Sequence, residues 1–483
     1  MNKTSIASLL AATLSVFSLS AQAAGEAKNV IFFLGDGMGP VVVTAARIYG
    51  YGEKGQLAMD KMPYAAKIRT YAADAQTTDS APGMAGYITG VRMKNNVISM
   101  TADTNPTSPS TDPAFPKSGS WINNCKTDGS NGKPVATILE QAIAKGKATG
   151  VVSTARITHA TPAVNYAHVC NRNAEYEIAA QLTPGSKSYN TALGKGVDVI
   201  LGGSSRYFVP VNVTGTTEQQ AGRPDGSDLV GLMKTAGYSY VTNRDQLLAS
   251  PATTGSKLLG LFDQATDDVH MSYELDRNPA LEPSIAEMTS KAIDVLSKNT
   301  NGYFLMVEGG RIDHALHGTN AARALADTVA FDKAVAVALS KVDLSNTLVI
   351  VTADHDHTMA FNGYSKIGNN MLDVVTGTDG KPSLDADGNP YTTLVFGQSP
   401  NRPKTRTAVT SDQAKSVGTY KSANVFNDGG GYFQEGVVRS SAGGETHGSG
   451  DVMLYAAGAA AQNFKGTMPN INVYPLLKSA FGF

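Results

Sequence analysis

Six of the eight histidines of the chain, His159, His314, His317, His355, His357 and His447, lie in short polar stretches beside apolar runs, and all but His159 have carboxylates in the same stretch. The stretches are Gly35-Asp36-Gly37-Met38-Gly39, the segment from Thr154 to Pro162 that carries His159 and Thr161, the segment from Glu308 to His317 that carries Asp313 and His314, Ala353-Asp354-His355-Asp356-His357, and Glu445-Thr446-His447-Gly448. Imidazole and carboxylate without thiolate is the donor set of zinc in catalytic sites, with magnesium or manganese at all-oxygen positions. Asp313 and His317 stand four apart, so both face one ion if that turn is helical. Asp354 and His355 are adjacent. An extended strand would point them to opposite faces, so they need a turn just after the strand. Each stretch alone has a plainer reading, and an isolated Asp-Gly is usually a turn. Five of them gathered at one sheet edge favour a metal site over a ring of solvated loops.

The candidate nucleophile is Ser80, in Thr77-Thr78-Asp79-Ser80-Ala81-Pro82-Gly83. Pro82 marks a helix start. A hydroxyl at such an end meets backbone N–H groups and a positive dipole, which favour an anion. The plainer reading is that Ser80 caps the helix. A serine is a weak nucleophile unless a base or a metal activates it. The Gly-x-Ser-x-Gly hydrolase elbow is absent around Ser80. Gly132-Lys133 is followed by Pro134, so the phosphate loop of nucleotide-binding proteins is missing there too.

Positioning these residues is the task of strand–helix alternation. Apolar runs at Asn29–Leu34, Ala148–Ser153, Val197–Leu201, Tyr303–Val307, Thr347–Thr352 and Val452–Ala456 read as strands buried on both faces. Helical spacing appears over Val135–Lys145, after Pro283-Ser284 (Ile285, Met288, Ala292, Val295 and Leu296 on one face) and over Ala321–Leu339. The expected fold is α/β: a large, mostly parallel central sheet with helices on both faces. Ligands of such sheets bind beyond the carboxyl ends of the strands, where the polar stretches fall. Thr101–Lys133, Tyr207–Thr254 and the Gly-, Asp- and Asn-rich stretch 361–444 read as loop-rich excursions from one core.

The chain has 483 residues, a formal charge of −1 and 42% apolar residues. That is ample for a large core and gives no basic footprint, so nucleic acid is not expected as a specific partner. Residues 1–23 read as a signal peptide, with Lys3, the apolar run Ile6 to Leu19 and Ala21-Gln22-Ala23. The run is too short to span a membrane, so no membrane anchor is expected. Residues 24–483 then form one exported domain, periplasmic in a two-membrane bacterium or otherwise secreted. Two cysteines, Cys125 and Cys170, could pair in an oxidising compartment or stay as thiols.

In order along the chain, Gly35-Asp36-Gly37-Met38-Gly39, Thr78-Asp79-Ser80-Ala81, Val307-Glu308-Gly309-Gly310-Arg311-Ile312-Asp313-His314, Thr352-Ala353-Asp354-His355 and Glu445-Thr446-His447 resemble the motifs of the alkaline phosphatase family, from about Lys28 to the last strand. The resemblance implies a phosphomonoester hydrolase that forms a phosphoserine on Ser80, with two zinc ions and one magnesium. It implies Asp313, His317 and His447 for the first zinc, and Asp36, Asp354 and His355 beside Ser80 for the second. It implies Asp36, Glu308 and Thr161 for magnesium, with His159 nearby. Arg172 matches the phosphate-clamping arginine, and His357 would orient a ligand from behind. The best-studied enterobacterial members carry Asp where this chain has His159 and Lys where it has His314. The animal enzymes resemble it at both. Imidazole at 159 suits zinc better than magnesium, and His314 would reach the phosphate directly or through water. A homodimer is also implied, with 361–444 as a crown-like insertion at its interface.

Rival readings are a phosphodiesterase, a sulfatase and a non-catalytic phosphate- or zinc-binding protein. A sulfatase needs Cys-x-Pro-x-Arg, which neither cysteine has. A diesterase should lack Arg172 and the third metal site. A pure binder has no use for Ser80.

Overall fold

The structure, a computed structural model, describes residues 27–114, 120–126, 128–211, 222–262, 270–386, 388, 390–401, 434–441 and 443–483. The expected leader, 1–23, lies outside the described residues.

Ten strands form the central sheet: β1 (Asn29–Gly35), β2 (Tyr64–Arg69), β3 (Ala148–Arg156), β4 (Val199–Gly203), β5 (Tyr238–Val241), β6 (Lys257–Leu261), β7 (Tyr303–Gly309), β8 (Thr347–Thr352), β9 (Val452–Gly458) and β10 (Gly466–Pro469). Their spatial order is β10-β2-β9-β8-β1-β7-β3-β4-β6-β5. Every strand runs in one direction except β9, which is antiparallel to both β8 and β2. In the middle, β1 pairs in parallel with β7 and β8 (Leu34 opposite Glu308 and Thr352), so their carboxyl ends finish side by side. Residues 30–34, 303–307 and 347–352 are all buried. These are the strands that continuous apolar runs predict.

The strands that the apolar pattern misses lie toward the edges. β2 alternates buried and exposed residues, and β5 has exposed Ser239 between buried Tyr238 and Val241. Their patterns are short and mixed because part of each strand is left exposed.

Two groups of helices pack on the sheet. In one, α5 (Ile285–Leu296) and α1 (Pro40–Tyr51) both pack on α7 (Ala321–Lys341). In the other, α8 (Val473–Phe481) packs on α2 (Ser80–Thr89) and α3 (Ile138–Ala144). The helix expected over Val135–Lys145 starts only at Ile138, because the Thr137 hydroxyl and Glu140 carboxylate close a capping box there. α5 opens the same way, on Ser284 and Glu287. Ile285, Met288, Ala292, Val295 and Leu296 are buried as their spacing requires. Two short helices, α4 (Ala160–Ala163) and α6 (Arg311–His317), sit directly after β3 and β7.

Within 361–444, Leu394–Ser399 pairs with Ala360–Phe361 and with Gly436–Arg439 in a small separate sheet. Residues 402–433 and 442 lie outside the described residues. Among the described residues, no helix is long and apolar enough to cross a membrane.

Candidate metal centre at the carboxyl edge of the sheet

β1 ends at Gly35 and delivers Asp36 into a tight turn. Gly37 there has φ +66°, and a Cβ on it would stand 2.5 Å from the His357 ring. Only glycine combines that backbone with that clearance. β8 ends at Thr352, and the turn anticipated for Asp354 and His355 follows at once. Asp354 Oδ1 accepts from the N–H of Gly37 (3.1 Å) and of His355 (3.1 Å), which locks the two turns together. α6 places Asp313 and His317 one turn apart on the same face. His447 comes from the opposite direction. It precedes the reversed strand β9, and His447–Gly448 pairs with Asp356–His357.

The helix of Ser80 differs from its sequence reading. It starts at Ser80 itself, two residues before Pro82, and Asp79 is its cap, with Oδ1 accepting from Ala81 N–H at 2.8 Å. A cap accepts from the second or third residue of the helix, and Asp79 is one residue better placed than Ser80 to do so. The serine hydroxyl is thereby free to point into the site. Buried Ser80 Oγ donates to Asp36 Oδ1 at 3.2 Å and lies 3.4 Å from His355 Nε2.

Two groups of donor atoms have near-equal spacing. In the first, Asp313 Oδ1 is 3.3 Å from His317 Nε2 and 3.4 Å from His447 Nε2, and the two nitrogens are 3.0 Å apart. In the second, His355 Nε2 is 3.2 Å from Asp36 Oδ1 and 3.5 Å from Asp354 Oδ2. Ligand atoms about 2.0 Å from one tetrahedral ion stand about 3.3 Å from each other. The imidazole tautomers point the same way. Nδ1 of His317, His355 and His447 each faces a backbone carbonyl, of Glu445 (2.6 Å), Asp356 (3.2 Å) and Thr78 (2.9 Å). A carbonyl only accepts, so each Nδ1 carries the proton and each Nε2 turns a lone pair inward. Two such lone pairs facing each other at 3.0 Å beside a carboxylate repel unless a cation lies between them. The residues fit a metal ion at both places.

A third group, Asp36, His159 and Glu308, brings its donor atoms within 4.8 Å of one another. Buried Glu308 Oε1, Thr161 Oγ1, His159 Nδ1 and Asp354 Oδ2 have no hydrogen-bond partner. Buried polar atoms left without partners in this group and the second are costly without a cation. Burial, then the Asp36 charge, pushes both Glu308 and Asp354 well above the usual carboxylate range. Asp313 goes the other way. Burial opposes ionisation, but the surrounding imidazoles, His317 first and then His357, whose Nε2 lies 2.7 Å from Oδ1, hold its carboxyl well below that range. Burial also lowers His317 and His447, which keeps them in the neutral form that binds metal. His357 lies behind Asp313, with Nε2 2.7 Å from Asp313 Oδ1 and Nδ1 2.5 Å from Glu445 Oε2. Burial works against its charge, but Glu445 and Asp313 outweigh it and hold the ring at about 10.

Arg172 reaches the same hollow. Its Nη2 is 2.7 Å from His159 Nε2, and its Nη1 is 3.9 Å from Asp79 Oδ1. His314 is half-buried, with Nδ1 3.1 Å from Arg311 Nη1. Burial, then the Arg311 charge, lowers it well below the usual imidazole value. The structure thus gathers all thirteen residues singled out in the sequence at one edge. It adds one the sequence reading left outside. His270 packs its ring 4.2 Å from that of His314 and 5.9 Å from that of His159. The apolar pattern marked no strand beside it, so the clustering that found the other six did not include it. Glu445 and Asp79, quoted only as neighbours of His447 and Ser80, turn out to hold His357 and the Ser80 helix.

A family model described as alkaline phosphatase matches residues 27–482. The tissue-nonspecific alkaline phosphatase of Mus musculus is 35% identical over 475 residues, covering 93% of this chain and 83% of that protein. Among solved structures, the alkaline phosphatase of Thermus thermophilus superposes with a TM-score of 0.64 at 24% identity, covering 98% of this chain and 96% of that one. A variant of TAB5 alkaline phosphatase, described with magnesium bound, gives 0.61 at 23% identity over 95% and 99%.

Proposed function

The chain belongs to the alkaline phosphatase family, a family of phosphatases acting on phosphomonoesters, and from that premise we propose that it hydrolyses them through a phosphoserine on Ser80, with two zinc ions and one magnesium. The observation that carries this is the convergence of three inward Nε2 lone pairs with Asp36, Asp313 and Asp354, with the Ser80 hydroxyl against Asp36 and His355. Asp313, His317 and His447 would hold the first zinc. Asp36, Asp354 and His355 would hold the second, and Asp36, Glu308 and Thr161 the magnesium, with His159 beside it. When bound, these cations neutralise phosphate charge and lower the pKa of a coordinated hydroxyl or water.

The chain's own residues do the rest. Ser80 Oγ, its proton directed at Asp36 Oδ1, attacks phosphorus. A bond forms from Oγ to phosphorus as the bond to the ester oxygen breaks, and the alcohol departs. Water then attacks the phosphoserine, phosphate leaves, and the Ser80 hydroxyl is regenerated. Arg172 offers two parallel N–H donors to two phosphate oxygens. Asp79 supports this by capping α2 and by its charge near Arg172. His314 stands near the phosphate position as a neutral donor. His357 fixes the Asp313 carboxylate from behind.

The proposal extends to an exported, periplasmic or secreted protein with 1–23 as its leader and 24–483 as a single domain. It includes a homodimer through 361–444, supported by Tyr364 and Ile367 there, 96% and 81% exposed.

The test is p-nitrophenyl phosphate hydrolysis at pH 6 to 10 by the mature protein, before and after EDTA, then with zinc and magnesium restored. Ser80→Ala runs in parallel, with rapid acid quench for labelled phosphoprotein. Activity lost to chelator, restored by the metals and absent from Ser80→Ala is expected, with label trapped only on the parent. A fully metallated parent without turnover, or turnover surviving in Ser80→Ala, overturns the reading.

A further inference from the structure

Cys125 and Cys170, whose pairing the sequence left open, are joined in a disulfide with their Cα atoms 5.7 Å apart. Cys170 is two residues from Arg172, and the turn carrying both is held from two sides. On one side it is tied to the segment that caps α2. Ile98 and Val169 exchange backbone hydrogen bonds at 2.9 and 3.1 Å, Arg172 N–H donates to Asn96 carbonyl oxygen at 2.7 Å, and Asn96 N–H donates to Asp79 Oδ2 at 2.6 Å. On the other side lies the loop-rich excursion before α3. There the contacts are weak: Cys170 N–H to Cys125 Sγ at 2.9 Å, and Asn171 Nδ2 to Ser108 Oγ at 3.5 Å. Among the described residues, the covalent bond is the strongest tie on that side, with the Trp121 ring 6.5 Å from that of Tyr176 further along. The guanidinium itself has no bidentate carboxylate partner in the contacts that place it, at His159 Nε2 and, more distantly, Asp79 Oδ1. Its place therefore depends on its own backbone.

We propose that the Cys125–Cys170 disulfide is a positioning device for Arg172: it fixes the turn that aims the guanidinium, and so makes affinity for phosphate depend on the redox state of this pair. This rests on the reading of Arg172 as the phosphate clamp. Reduction breaks the S–S bond, and two thiols form with two electrons and two protons supplied by an external dithiol. The excursion is then released from the Arg172 turn. The metal ligands lie on other segments and stay in place.

The experiment measures inorganic phosphate binding by calorimetry, and KM for p-nitrophenyl phosphate, on the zinc- and magnesium-loaded protein. Four forms are compared: the parent, Cys125→Ser with Cys170→Ser, Arg172→Ala, and all three changes together. The folded parent reduced with dithiothreitol and then reoxidised is a second route that needs no refolding of a variant. Loss of the disulfide is expected to weaken phosphate binding about tenfold, part of what a charge-assisted pair contributes. KM should rise with it and metal content should hold. In the Arg172→Ala background the same change should add nothing. A merely stabilising disulfide would lower the melting temperature and leave phosphate affinity unchanged at 25 °C, which overturns the inference. So does an equal loss with and without Arg172. If Arg172→Ala alone leaves phosphate affinity unchanged, it is the clamp reading that has failed, and this inference goes with it.

Discussion

Glu308→Gln should make the metal-free protein more stable and the metal-loaded protein less so. Asp36 and Glu308 bring carboxylate oxygens within 4.8 Å of each other, both fully buried. At separations up to that, two unit charges repel by at least about 3.5 kcal/mol at an effective dielectric of about 20. Burial and the Asp36 charge raise the Glu308 pKa well above normal, so ionising Glu308 beside Asp36 is what costs the metal-free protein. A raised carboxyl pKa contributes stability that is fully present below the unfolded value of about 4.3. That stability is lost as pH rises toward the folded value. Glutamine keeps the shape, can still accept from Ser153 Oγ as Glu308 Oε2 does, and does not titrate. With an unfolding entropy of about 2.1 cal/mol/K per residue over 483 residues, 1 kcal/mol moves the melting temperature by roughly 1 °C. The variant stripped with EDTA should therefore melt about 3 to 4 °C above the stripped parent at pH 8. Near pH 5 the two should coincide. Adding magnesium after zinc should raise the parent alone and reverse the order. Differential scanning calorimetry across pH 5 to 9 reads all three. A stripped variant that melts below the parent at pH 8, or a gap that does not close toward pH 5, refutes the electrostatic account.

His357→Ala should weaken metal at the Asp313, His317 and His447 group by about 10- to 100-fold in competitive chelator titrations, because Asp313 loses the group that orients it. Gly83→Ala would put a methyl group 2.9 Å from Asp354 Cβ and 3.0 Å from its carbonyl oxygen. It should push α2 away from the site and reduce kcat/KM at least tenfold with circular dichroism unchanged, since small misplacements of reacting groups are costly. Replacing both Cys125 and Cys170 by serine opens a 45-residue loop and should reduce unfolding stability by up to about 4 kcal/mol in urea titrations.

The inner strands were legible because burial on both faces leaves a continuous apolar run, as at Asn29–Leu34 and Thr347–Thr352. Edge strands such as Tyr64–Arg69 were not, because half-exposure mixes their pattern with that of a loop. The site was legible because its ligands cluster at strand ends, which a linear reading can count. What stayed hidden was long-range. Asp79 rather than Ser80 caps α2, a choice made by one residue of helix register. The carbonyls of Thr78, Glu445 and Asp356 that set the imidazole tautomers carry no side-chain signature at all. His270 meets His314 across 44 residues of sequence, a contact that no local pattern announces. The disulfide between Cys125 and Cys170 needed geometry that spacing does not contain.

The single reversed strand has a consequence in time. Because β9 runs against its neighbours, the residue before it, not after it, arrives at the edge where the others end, and that residue is His447. The donor set therefore stretches from residue 36 to residue 447. At about 5 to 20 residues per second, a ribosome takes roughly 20 to 80 s to travel between them. Once residue 80 has been added, the growing chain holds Asp36 and the Ser80 hydroxyl but lacks a donor of the Asp313 group until residue 447. A premature stop anywhere before His447 leaves every motif already made intact and still yields a chain unable to close that group. Measured turnover thus reports on chains that were finished as well as folded.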